Sequence, residues 1–199
     1  MAGFGVIRDI SHDLRRQIFD ALVATPNVDF ALGGDVSRLT LSPPAEGLAA
    51  TVVASLYLYH IEVDRHLRNQ RPLPDPAAED RFRNPPLPLQ LRYLFTPVSA
   101  DEDLNQLLIG RILQHFHDHP SFAALEGAPL GDSFGGASPA LRVRPDLLTL
   151  EQAAQLWNAL SQPFRVAVSL LVEVVAIDSA LPPGTGPRVG RVPLLPGEV

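Results

Sequence analysis

Leu87, Leu89, Leu91, Tyr93 and Phe95 alternate with Gln90, Arg92 and Thr96 in a segment bracketed by Pro86 and Pro97. A period of two predicts a strand whose apolar face lies on a core. Asp101, Glu102 and Asp103 follow at once, and behind them Leu104, Leu107, Leu108, Ile112, Leu113 and Phe116 recur at helical spacing up to Pro120. Three acids at a helix start sit well against its dipole, and one apolar stripe needs a surface to cover. The chain is thereby committed to a sheet with a helix laid on it. No reaction is written in the segment.

The other elements follow from similar patterns. Val6, Ile7, Ile10, Leu14, Ile18 and Leu22 predict an amphipathic helix over about residues 6–24, ended before Pro26. Val36 to Leu41 reads as a short strand between Gly33-Gly34 and Pro43-Pro44. Ala49 to Val63 reads as a strand apolar on both faces, with Val52, Ala54, Leu56 and Leu58 on one and Val53, Tyr57, Tyr59 and Ile61 on the other. Such a strand is central, or meets a partner. Arg65 to Pro86, rich in arginine, acids and proline, reads mainly as an exposed loop, and residues 126–139 as a Gly-, Pro- and Ser-rich loop.

Leu141 to Val143 suggests another short strand. A helix over Thr149 to Leu160 opens with the capping-box spacing Thr149 and Gln152 and carries the sole tryptophan, Trp157. Phe164 to Asp178 alternates as the longest strand, with Phe164, Val166, Val168, Leu170, Val172 and Val174 on one face and Arg165, Ser169 and Glu173 opposite. After Leu181, repeated prolines exclude helix and favour an extended tail, ordered by a neighbour or not at all.

This order predicts an α+β fold: an antiparallel sheet of four to five strands with three helices packed mainly on one face. The expected division is one domain over residues 1–180 and a Pro/Gly-rich tail over 181–199.

At 199 residues, 46% of them apolar, the chain is long enough for a single substantial core. No apolar run is long enough to span a bilayer, and Arg8 and Asp9 interrupt any signal-peptide pattern, so cytoplasmic synthesis is expected. With no cysteine there is no disulfide, thiolate metal site or cysteine nucleophile. All 16 basic residues are arginine, which removes Schiff-base and P-loop lysine chemistry. A net charge of −6 argues against a general nucleic-acid binder. No cofactor fingerprint occurs.

Candidate chemistry is sparse. His115, His117, Asp118 and His119 suggest zinc, but His117 points about 200° from His115 on a helix, leaving two convergent imidazoles. Ser11-His12-Asp13 has the letters of a triad without its geometry, since the relay is assembled from separated positions. Trp157 reads as core. Arg65, Arg68, Arg71, Arg81 and Arg83 alternate with Asp64, Asp75, Glu79 and Asp80, which suits a solvated loop or a protein interface. No catalytic, metal or cofactor residue is assigned, and the chain reads as no enzyme.

Four segments carry a resemblance: Ile7-Arg8-Asp9-Ile10-Ser11; Ser55-Leu56-Tyr57-Leu58-Tyr59; Pro86 through Pro97; and Leu156-Trp157-Asn158-Ala159-Leu160 leading into Phe164-Arg165-Val166-Ala167-Val168. Taken in this order they resemble the tail-terminator, or cap, proteins of phage-tail-like contractile injection systems, over roughly residues 4–180. The resemblance implies a six-fold ring of copies that ends the inner tube and locks the outer sheath, with tube and sheath proteins as partners and no catalytic residue. A frequent family serine is Ala167 here. The location implied is cytoplasmic, then within a particle. Tyr57, Tyr59, Arg92, Tyr93 and Arg165 are the candidate interface residues, chosen for their strands. A non-catalytic adaptor would share the same sheet, while a hydrolase would need chemistry at His115 and His119.

Overall fold

A computed structural model of the chain describes residues 3–185 except 46, 76, 77, 126, 132, 134–139 and 147. Its helices are α1 (Val6–Val23), α2 (Glu102–Asp118) and α3 (Leu150–Ala159). The strands are β1 (Leu39–Thr40), β2 (Ala54–Val63), β3 (Leu73–Asp75), β4 (Ala78–Arg83), β5 (Leu87–Pro97), β6 (Ser121–Phe122), β7 (Ala124–Leu125), β8 (Ala128–Pro129), β9 (Leu141–Asp146), β10 (Val168–Ile177) and β11 (Gly184–Thr185).

The main sheet runs β1-β2-β5-β10-β9-β6. Its neighbours pair antiparallel except β1 with β2. The fold is therefore α+β, with one parallel pair and one more strand than the upper expectation. β6 supplies the extra strand, and at two residues it is too short to leave a periodic signal.

Along β5 the odd residues Leu89, Leu91, Tyr93 and Phe95 enter the main core. There they meet Ile10, Leu14 and Ile18 of α1, Leu108, Ile112 and Phe116 of α2, and Leu170, Val172 and Val175 of β10. Each such aliphatic side chain contributes about 1.5–3 kcal/mol when removed from water. α2 starts where expected, because the Asp101 carboxylate accepts from the Asp103 and Leu104 N–H groups. The Arg111 guanidinium donates from Nε to Thr25 Oγ1 at 2.9 Å, tying α2 to the end of α1. Trp157 of α3 instead lines a cavity with Leu94 and Ser169, on the reverse face of the sheet.

Several sequence expectations shift. Val36–Arg38 is a 3-10 turn, capped by Asp35 accepting from the Ser37 N–H, so β1 keeps only two residues. β2 starts at Ala54, not Ala49. The expected 65–86 loop contains the β3–β4 hairpin, to which β11 adds. On α2, Leu107 and Leu113 are exposed, while Asn105 is buried with its amide donating to Ser99 O and Glu102 Oε2. β10 starts at Val168, so Phe164 to Ala167 lie outside it, and β5 is the longer strand. A bulge after Val172 lets Val174 take φ 66° and puts Val175 in the core. The expected 126–139 loop includes β8, and its remainder falls largely outside the described residues. So does most of the expected tail.

Candidate assembly interface

The parallel partner β1 reaches only Ala54 and Ser55 of β2. From Leu56 to Val63 the outer edge of β2 therefore pairs with no strand among the described residues. Such an edge offers unpaired main-chain donors and acceptors to another chain. Apolar side chains accompany it, with Ile61 and Val63 exposed. A bulge between Leu58 and His60 makes Tyr59 the extra residue of the strand, and bulges re-aim side chains at sheet margins. The Tyr59 hydroxyl lies 2.9 Å from Ser169 Oγ, on the strand beyond β5. Tyr57, opposite Leu94, is half-buried.

Arg92 stands on the reverse face, between the edge strand and β9. Its guanidinium is bonded to the Asp146 carboxylate and lies 4.0 Å from Glu62. Beside it Arg144 donates to Glu173 at 3.1 Å, and this bond, opposed by burial and helped by the charges of Glu173 and Asp146, raises the Arg144 pKa. Asp64, at the end of β2, accepts from the His66 and Leu67 N–H groups and from Gln90 Nε2. Around Arg92 and Arg144 the reverse face thus carries opposed charges paired across β5, β10 and β9.

Tyr93 points the other way. Its ring is fully buried and its hydroxyl lies 2.8 Å from Ser11 Oγ in α1, so within a single chain it is a core residue. Arg165 is exposed, beyond α3, and shares two cavities with Trp157. The five candidate residues accordingly divide: Tyr57, Tyr59 and Arg92 cluster near the β2 edge, Tyr93 backs them from the core, and Arg165 stands apart. Ser169 and Asp146 were missed, because each meets its partner across more than fifty residues of chain.

His115 and His119 stack with ring centroids 5.1 Å apart, while His117 is exposed on another side of α2. Burial, followed by the positive fields of His119 and Arg111, pushes the His115 pKa down. Among the described residues no three His, Asp or Glu side chains come together to hold a metal ion. No described helix is long and apolar enough to cross a membrane.

No curated protein matches the sequence. Among solved structures, the fold is similar to the sheath/tube terminator in the extended state of an extracellular contractile injection system, PVC, with a TM-score of 0.62 at 17% identity over 100% of this chain and 65% of that one. It is also similar to the tube-terminating cap of the anti-feeding prophage, AFP, with a TM-score of 0.58 at 14% identity over 94% of this chain and 60% of that one. The chain therefore spans less than two thirds of either. At sequence level, residues 9–191 match the family described as the Pvc16 N-terminal domain. The chain belongs to the Pvc16 N-terminal domain family.

Proposed function

We propose that this protein is a tail terminator: a structural cap that ends tube and sheath growth in a contractile injection particle. The likeness in fold to two terminators supports this reading, and the β2 edge, unpaired among the described residues, gives it a physical means. A growing helical assembly ends where its last layer meets a closed ring, because closed symmetry leaves no further docking site. Main-chain pairing at an open sheet edge holds a partner's extended arm with little demand on its sequence. Copies of the chain form the ring, six in number to match a six-fold tube, and the folded part over 1–180 builds it. The role needs no catalytic residue or cofactor. Synthesis is cytoplasmic, and the particle carries the cap thereafter.

Native mass of the purified chain, with imaging of the same sample, tests the ring. A hexameric ring is expected, alone or on addition of tube and sheath proteins. A chain that stays monomeric and binds neither protein overturns the cap and favours the adaptor. In the same assay a proline at Ile61, which removes an edge N–H and stiffens the strand, should weaken sheath binding.

A further inference from the structure

We propose that the apolar end of the main sheet, at Ile61, Val63 and Leu87, is the docking site of this chain's own segment Val192-Pro193-Leu194-Leu195. Ile61 lies opposite Leu91 and Val63 opposite Leu89, so both share the face on which Leu89 and Leu91 enter the core. Leu87, two residues before Leu89 on β5 and opposite Ile177, extends that face to the last residue of β10. Leu89 and Leu91 are 5% and 0% exposed, but Ile61, Val63 and Leu87 are 46%, 42% and 47% exposed. The face that carries the core thus runs out into water at this end, as an apolar strip across β2 and β5. Large apolar side chains gathered in this way mark a contact surface.

The course of the chain points to the occupant. β4 leads into β5 at Leu87, and β11 brings the chain back onto β4, with Thr185 opposite Arg81. Arg81 and Leu87 are separated by at most about 20 Å of backbone, and pairing of β11 with β4 adds about 5 Å. From Thr185 to Leu194 the backbone spans up to about 30 Å, enough to return to Leu87. β11 runs towards the β3–β4 turn, so a return needs a reversal, for which Gly186-Pro187 and Gly190 supply turn residues. Val192, Leu194 and Leu195 then follow as an apolar group, and Pro193 and Pro196 reduce the freedom lost on docking. A tether this short gives the segment an effective concentration on the order of millimolar at its own sheet end, which favours it over the same segment of a second copy. The contact is made through side chains, so the main-chain edge of β2 stays open to a partner, and it does not depend on ring formation.

The chain has no cysteine, so an introduced pair reads the contact without background. In the full chain, Leu87→Cys is combined in turn with Val192→Cys, Leu194→Cys and Leu195→Cys. Leu107→Cys, at an exposed position of α2, takes the place of Leu87→Cys in the control pairs. Oxidation by copper phenanthroline should close at least one Leu87 pair within a monomer, seen as faster migration on a non-reducing gel with loss of both thiols. That closure should be at least tenfold faster than in the matching Leu107 pair. Absence of a cross-link overturns the proposal, and so do equal rates for the two sets, which describe a segment that samples the whole surface. Cross-linked dimers overturn it as well, since a second copy then covers the strip. A variant without cysteine supplies a second readout: Leu194→Ser combined with Leu195→Ser should at least double the fluorescence of bound anilinonaphthalene sulfonate, with far-UV circular dichroism unchanged. Unchanged dye fluorescence in that variant overturns the proposal.

Discussion

The Tyr93 hydroxyl meets Ser11 Oγ at 2.8 Å in the middle of the core, joining β5 to α1 through one polar contact. Ser11 itself donates to the Ile7 carbonyl at 2.9 Å, so the phenol is left to donate to Ser11. Burial pushes the Tyr93 pKa up to about 12, with the Ser11 bond opposing.

Tyr93→Phe leaves Ser11 bonded to Ile7 and should cost about 1 kcal/mol at pH 8, the usual net value of one such bond. Because the folded pKa is raised, the unfolded chain loses this proton first. Stability from the phenol is complete below pH 10 and is lost as pH rises towards 12, by about 2–3 kcal/mol in all. Urea midpoints at pH 8 and pH 11 check the sign: the parent should lose its advantage over Tyr93→Phe on going to pH 11. An equal gap at both values would place the phenol in contact with water.

Asp64 works at the acid end. Burial alone would raise its pKa, but the bonds from His66, Gln90 and Leu67 outweigh that and hold it below the usual carboxylate range. Its contribution is therefore present above the unfolded pKa near 4 and lost as pH falls through the folded value. Asp64→Asn should cost about 1–2 kcal/mol at pH 7 by weakening charge-assisted bonds. As pH falls from 7 through the unfolded value and on through the lower folded one, the parent and variant midpoints should converge, and a constant gap would reject the assignment.

α3 is held by its ends more than by its faces. Trp157 is its one buried residue, and a ten-residue helix is marginal alone. Thr149 Oγ1 accepts from the Gln152 N–H at 3.2 Å, and Gln152 Oε1 accepts from the Thr149 N–H at 2.9 Å. Thr149→Ala should cost about 1 kcal/mol, and Thr149→Ser should restore most of it. Since Trp157 is the only tryptophan, its emission reports α3 directly. The emission midpoint in urea should fall further than the far-UV circular dichroism midpoint. Coincident shifts would make α3 part of the global unit.

Helical stripes and the capping box were legible because they are local: Ile10, Leu14 and Ile18, or Thr149 and Gln152, lie within a turn or two of each other. The strand cores were legible for the same reason. What failed was non-local. The β10 pattern reads as one uninterrupted alternation, yet the bulge at Val174 changes which face its last residues take, and nothing between Val172 and Val175 in sequence announces it. Alternation also continues back to Phe164, but among the described residues no strand pairs with it there. Of the candidate interface residues, Tyr93 shows the limit most plainly, since a tyrosine on an alternating strand reads alike whether its hydroxyl faces water or a serine on a packed helix.

Arg92 is the hardest candidate to test, because its pairing and any contact it makes are lost together. Arg92→Glu sets a third carboxylate beside Asp146 and Glu62, which are 16% and 33% exposed, and should cost about 2 kcal/mol or more. Loss of capping in that variant would therefore report instability as readily as a lost contact. Combining Arg92→Glu with Asp146→Arg returns an opposite-charge pair to the same place and should recover most of the melting temperature. If Arg92 touches tube or sheath, the exchanged pair presents the wrong charge to them, so particles assembled with it should remain uncapped and of irregular length. If Arg92 only braces the sheet, capping should return along with stability. Melting temperature and particle length measured on the same three proteins separate the two roles.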